Sequence, residues 1–258
     1  MPMNSLASSF AARLQKLNDP HRAENEKKYH KSQRIHWGVS AGGMDQTIRE
    51  TIPQLSLEEM FSLSQSLWES SIFDLMVCSA RILSHKKIQG SRKLWREVKR
   101  SMRDVDGWCL EDNLAKAAWK CIAEDESILD DLEQWTHHKN FWYRRAALIF
   151  TLPYAKQGKD PERMLKWAGK YAADKEWFIQ KAIGWWLRDL GAHNPERVIQ
   201  FLNEYWPKLQ YVAKKESTRK LEKKYLKKIH HFSLGKLFPS KQNGSKSIQG
   251  PASSRIGF

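Results

Sequence analysis

A chain of 258 residues, 41% of them hydrophobic, is long enough for one large domain or for a repeat array sharing a continuous core. Lysine and arginine total 44 against 29 acidic residues, and the resulting +15 charge argues for a polyanionic partner, with nucleic acid ahead of an anionic membrane surface. Transmembrane, secreted and zinc-binding classes fit poorly: no run approaches the roughly 20 apolar residues that span a bilayer, Met1 to Leu17 lacks a signal-peptide pattern, and Cys78, Cys109 and Cys121 fit thiols of a reducing cytoplasm better than disulfides or a metal set.

In chain order, helical spacing covers residues 4–17, and Asn18-Asp-Pro20 stops it. A polar helix is expected over 22–33, then a turn around Gly38 and Gly42-Gly43, then a short helix over 44–51. Further helices are expected at 56–68, 71–84, 91–103, 107–123, 127–137, 141–154, 161–173, 176–191, 195–207 and 212–230. Almost nothing alternates with period two, so the fold class is all-α. Aromatic-rich helices begin near Trp108, Trp142 and Trp177, about 35 residues apart, each followed by a second helix. Such a period belongs to stacked helical pairs, each too small to bury its own face. The expectation is a single HEAT-like solenoid over 1–232 with a basic concave groove, followed by a mobile Ser/Gly/Lys-rich tail over 233–258. Basic runs from Lys86 to Arg103 and from Lys214 to Lys228 are candidates for phosphate contact.

Three of these helices carry side chains that simple packing does not require. In the helix after Val105, capped by Asp104 or Asp106, Leu110, Leu114, Ala118 and Cys121 form the apolar face. Trp108 and Asp112 lie one turn apart at its margin, beside a basic face with Lys116 and Lys120. In the next, Arg145 falls among Phe141, Leu148, Ile149 and Leu152, where a guanidinium requires an anion or a route to water. In the third, Trp186 is core, whereas Trp185 sits at the margin with Phe178, Lys181 and Asp189. Gly184 costs about 1 kcal/mol in a helix interior and signals a close neighbour.

The ordered set Trp108-x-x-x-Asp112, Trp142-x-x-Arg145-Ala-Ala and Phe178-Ile-Gln-Lys-Ala-Ile-Gly-Trp185-x-Leu-Arg resembles the AlkD-like family of DNA alkylation-repair glycosylases. The motifs cover about residues 100–190, and the helical pattern is compatible to about 230. The resemblance implies a HEAT-like solenoid that holds duplex DNA and releases N3- or N7-alkylated purines without a base-flipping pocket. It carries the catalytic aspartate onto Asp112, the flanking indoles onto Trp108 and Trp185, and the arginine onto Arg145. Tyr29 matches a tyrosine near the family's N-terminal helices, and Lys181 joins Tyr29 and Arg145 as a DNA contact. Ser40 departs from the pattern, which carries a larger polar residue two positions after Gly38.

The chemistry is intelligible from the residues themselves. An N-alkylated purine is a cation and leaves as a neutral base, so the bond breaks with little acid catalysis. A fixed carboxylate stabilises the oxocarbenium-like sugar that appears in the transition state, and indole faces attract the cationic base. No lysine stands out as a Schiff-base nucleophile, which favours a monofunctional hydrolase. His137-His138 and His230-His231 are adjacent pairs, not metal-ligand spacings, and no phosphate-binding glycine loop is present, so neither metal nor cofactor is expected. A cytoplasmic monomer is the expected form. The alternative is a non-enzymatic HEAT-like binder of damaged or branched DNA. Asp112 discriminates the two, because a carboxylate facing phosphates only weakens a pure binder.

Overall fold

The computed structural model describes residues 3–230, so the expected tail at 233–258 lies outside the described residues. The first helices are α1 (Ser5–Gln15), α2 (Pro20–His30), α3 (Ala41–Thr51), α4 (Leu57–Glu69), α5 (Phe73–Leu83), α6 (Arg92–Met102) and α7 (Trp108–Glu124). They are followed by α8 (Ile128–Trp135), α9 (Phe141–Ile149), α10 (Leu152–Lys156), α11 (Glu162–Lys170) and α12 (Trp177–Leu190), then α13 (Pro195–Tyr205), α14 (Tyr211–Thr218) and α15 (Lys223–Leu226). Among the described residues the only β pairing is an isolated parallel bridge between Ile35 and Ile72. The fold is all-α, as the periodicity predicts.

Capping explains many of the starts. The side chains of Asn4, Asp19, Ser40, Ser91 and Asn194 each accept an otherwise orphaned backbone N–H of the first turn. Ser56 and Glu59 complete a capping box on α4. Ser40 starts α3 earlier than expected, so Gly42 and Gly43 fall in its first turn, while the turn itself rests on Gly38 at φ +73°.

The chain divides into two compact units, the first ending at Ile128 and the second starting at Leu129. In the first, α1 backs α3, α4 backs α5 and α6 backs α7, while α3, α5 and α7 pack side by side. Trp68 and Trp95 are almost wholly buried between these layers. In the second, α12 packs against α9, α10 and α14, and α11 joins α9 to α13, with Trp167 and Trp186 buried. Each such side chain contributes roughly 1.5–3 kcal/mol of burial, which is how short helices unable to stand alone are held.

The repeat is visible in bonds between equivalent positions. Lys93 donates to Glu58 and Arg92 to Ser127 in the first unit, and Tyr171 to Thr136, Trp186 to Thr151 and Arg197 to Glu162 in the second; each pair is 35 residues apart. Successive helical pairs therefore stack in register within each unit.

Three expectations need correction. The helix expected over 141–154 breaks into α9 and α10, because Pro153, which has no N–H, sits at the start of α10 and Thr151 turns its hydroxyl back to Ala147 and Leu148 carbonyls. The basic helix expected over 212–230 divides into α14 and α15, because Leu221 turns inward to within 3.1 Å of where a Cβ on Gly191 would lie. Neither Asp104 nor Asp106 caps α7. Gly107 occupies the cap without a side-chain bond, while Asp104 accepts from the Trp68 indole and Asp106 pairs with Arg34.

Candidate functional site

Within the first unit, Trp108 and Asp112 follow one another by a turn on α7, and both are 7% exposed. Asp112 is thus no solvated surface carboxylate. Trp108 is approached by two rings from the end of α2: Tyr29 edge-on at 5.6 Å and His30 tilted at 5.0 Å. Tyr29 is itself 40% exposed, so it covers the indole from the solvent side. His30 and His36 both stack on Phe73, at 4.8 and 4.0 Å. Sequence reasoning missed both histidines, one at the end of α2 and the other within the loop that follows it.

That loop is held from three directions. The buried Asp74 carboxylate accepts the backbone N–H of Trp37 at 2.7 Å and of Val39 at 2.8 Å. Phe73 donates its N–H to the Ile35 carbonyl. Arg34 donates to the Asp104 carbonyl at 2.6 Å and pairs with Asp106 at 2.9 Å, just before α7 begins. The same segment thereby fixes the end of α2 and the start of α7, the two elements that meet at Trp108.

An open cavity of about 890 Å³ lies along α3, α5 and α7, where the sequence offered no obvious pocket. Trp108, Asp112, Cys109 and His30 form part of its wall. Arg49, Lys86 and Lys116 also line it, all exposed and none in an ion pair among the described residues. Arg81, by contrast, is engaged: it pairs with Asp45 at 2.8 Å and donates to Asn113 and the Ala41 carbonyl, bracing α5 to α3 and α7. Lys120, expected on the basic face, instead gives its ammonium to the Ser84, His85 and Ile88 carbonyls at 2.9, 2.7 and 2.9 Å.

Electrostatics in this wall follow from burial. Loss of water, then the neighbouring His36, lowers His30 to about 4, and burial likewise lowers His36 to about 4, so both rings are neutral at pH 7. Burial first, then the charge of Asp112, pushes the Cys109 thiol up to about 12, which excludes it as a nucleophile.

The second unit gathers the other sequence-derived residues. Arg145 is 1% exposed on α9, and its guanidinium lies 5.9 Å from the Trp142 ring and 6.0 Å from both Phe178 and Trp185. Lys181 lies over Trp177 at 4.6 Å and Trp185 at 5.3 Å, and Arg188 is 5.9 Å from Trp185. The Trp185 indole N–H is buried and has no hydrogen-bond partner among the described residues. Gly184 has the close neighbour its position predicts: a Cβ there would meet Glu216 at 2.7 Å and the Ala213 carbonyl at 3.1 Å, because α14 packs on it. Gln180 is buried too, donating to the Tyr171, Ala172 and Asp174 carbonyls and accepting from Gln210, which fixes the loops at both ends of this cluster.

The two indoles therefore have opposite surroundings. Trp108 is met by neutral rings and a carboxylate one turn away, Trp185 by three cations.

Paired-helix repeats, with a cation-lined cavity beside a buried Trp–Asp pair, define a helical-repeat protein. Comparison with known proteins makes this specific. The family described as DNA alkylation repair enzyme matches residues 10–221, and the chain belongs to that family. Among solved structures, a predicted DNA alkylation repair enzyme from Enterococcus faecalis shares the fold, with TM-score 0.71 and 21% identity over 80% of this chain and 97% of that one. No curated protein matches.

Proposed function

We propose that the protein is a monofunctional DNA glycosylase that hydrolyses the N-glycosidic bond of N3- or N7-alkylated purines in duplex DNA. The observation that carries this reading is Asp112 one helical turn from Trp108 in the wall of an open cavity bearing three uncommitted cations. Arg49, Lys86 and Lys116 suit backbone phosphates. Trp108, whose ring neighbours are uncharged, suits the cationic purine, an attraction of roughly 0.5–2 kcal/mol. Asp112 stabilises positive charge as it develops on the sugar and orients the attacking water. The base departs neutral, taking the bond's electron pair, so no general acid is required.

Arg145 and Lys181, grouped around Trp185, are the residues of the second unit whose chemistry suits backbone phosphates. Tyr29 covers Trp108 from solvent and serves as a further DNA contact. The cavity is open-sided, so the reading needs no extrusion of the base into an enclosed slot. The protein would act as a monomer in the cytosol, on nucleoid DNA, without cofactor or metal.

The test is Asp112→Asn, measured by single-turnover release of free base and by equilibrium binding on one methylated duplex. Release should fall by about 10²–10³, the scale of one lost preorganised charge, with affinity kept or improved. Arg145→Ala should weaken both. Undiminished release by Asp112→Asn overturns the mechanism. Tight binding with no release by the unmodified protein favours a non-enzymatic binder of damaged DNA.

A further inference from the structure

His30 lies at the junction of three features described above: it touches Trp108, it lines the cavity, and it continues the stack through Phe73 to His36. Its Nδ1 is enclosed without a hydrogen-bond partner, and so are both nitrogens of His36. Leaving such a group unsatisfied is unfavourable, and an apolar ring would fill the same stack without that cost. A histidine at this position is therefore not explained by packing. What it adds is the edge carrying Nε2, on the one ring of α2 that reaches the cavity wall.

We propose that His30 is a specificity-determining residue of this site: its ring backs Trp108, and its outer edge hydrogen-bonds the groove-facing edge of the alkylated base, which stays in the duplex. The inference rests on the glycosylase reading and deepens it by assigning a residue to the choice among lesions. The ring is neutral at pH 7, so it offers one donor or one acceptor according to tautomer and brings no charge to compete with a cationic base. The groups around it agree with this. Tyr29, His36, Phe73 and Trp108 are the rings against it, and none is charged at neutral pH. N3-alkyl groups project into the minor groove and N7-alkyl groups into the major groove, so a hydrogen bond to one edge of the base favours one lesion over the other.

The experiment compares His30→Phe, which keeps a ring in the stack, with His30→Gln, which restores a polar edge. Each is assayed with two duplexes, one carrying a single N3-methyladenine and the other a single N7-methylguanine. Single-turnover release gives a rate ratio between lesions. His30→Phe should change that ratio by roughly three- to ten-fold, the scale of one neutral hydrogen bond, and His30→Gln should recover at least part of it. A ratio within two-fold of the unmodified protein in His30→Phe overturns the proposal, as does an equal change in both rates with no change in their ratio. Fluorinated-sugar analogues of the two duplexes, which resist cleavage, give the corresponding affinity ratio. If the unmodified protein releases no base, the glycosylase reading fails, and the affinity ratio alone then decides for or against His30.

Discussion

The pair of neutral histidines makes a quantitative demand on stability. In the unfolded chain both titrate near 6.5, whereas in the folded unit burial lowers both to about 4. Between these values the unfolded state binds more protons. The contribution is therefore fully present above about pH 6.5 and is lost as pH falls through 6.5 toward 4. A site with these limits loses about 2 kcal/mol between pH 7.5 and pH 5. Both rings are partly exposed, and discounting by about half for solvent screening leaves roughly 1 kcal/mol each, or roughly 2 kcal/mol together. With an m-value of about 2–3 kcal/mol/M, the urea midpoint should drop by just under about 1 M over that range. His30→Phe combined with His36→Phe keeps the stack on Phe73 and should remove this part of the drop. The assay is urea unfolding of both proteins by circular dichroism at the two pH values. Other titrating groups are common to both, so the difference isolates the pair. An equal midpoint shift in the two proteins would refute the argument.

Two further outcomes follow from the site and the core. Replacing Arg49, Lys86 and Lys116 together with glutamine should lower the slope of log affinity against log salt for duplex DNA by roughly 2–3, since each phosphate contact contributes about 0.9. The same number of substitutions at Arg96, Lys99 and Arg103, which belong to the basic run expected to meet phosphates but do not line the cavity, should leave the slope nearly unchanged. Gly184→Ala puts a methyl within 2.7 Å of the Glu216 side chain and 3.1 Å of the Ala213 carbonyl, and should destabilise the α12–α14 packing by about 1–3 kcal/mol, read by thermal unfolding.

Helices and their period were legible because burial of one face forces apolar spacing near 3.6, and stacked pairs force the repeat. Boundaries were misread where a tertiary contact overrode local pattern, as at Leu221 against Gly191. Among the candidate residues, Trp108, Asp112, Arg145 and Trp185 announced themselves by sitting at, or within, an apolar face where their chemistry did not belong. His30 and His36 gave no such signal. They lie at the end of a helix with no buried side chain and in the irregular loop after it, so no periodicity marks them. Lys120 misled for a related reason. Its position on the helical wheel is polar, but the carbonyls at the end of α5 reach it.

That lysine has a consequence for how a phosphate would be met. Three carbonyls from Ser84 to Ile88 converge on one ammonium, and the backbone at Gly90 lies so close to the Lys120 carbonyl that a Cβ would come within 2.1 Å. The segment presenting Lys86 is therefore immobilised when the chain folds. A ligand arriving at Lys86 finds its backbone already set, and the entropy of ordering that segment is charged to folding and not to association. The internal cation would never touch the ligand, yet it would raise the affinity of the external one.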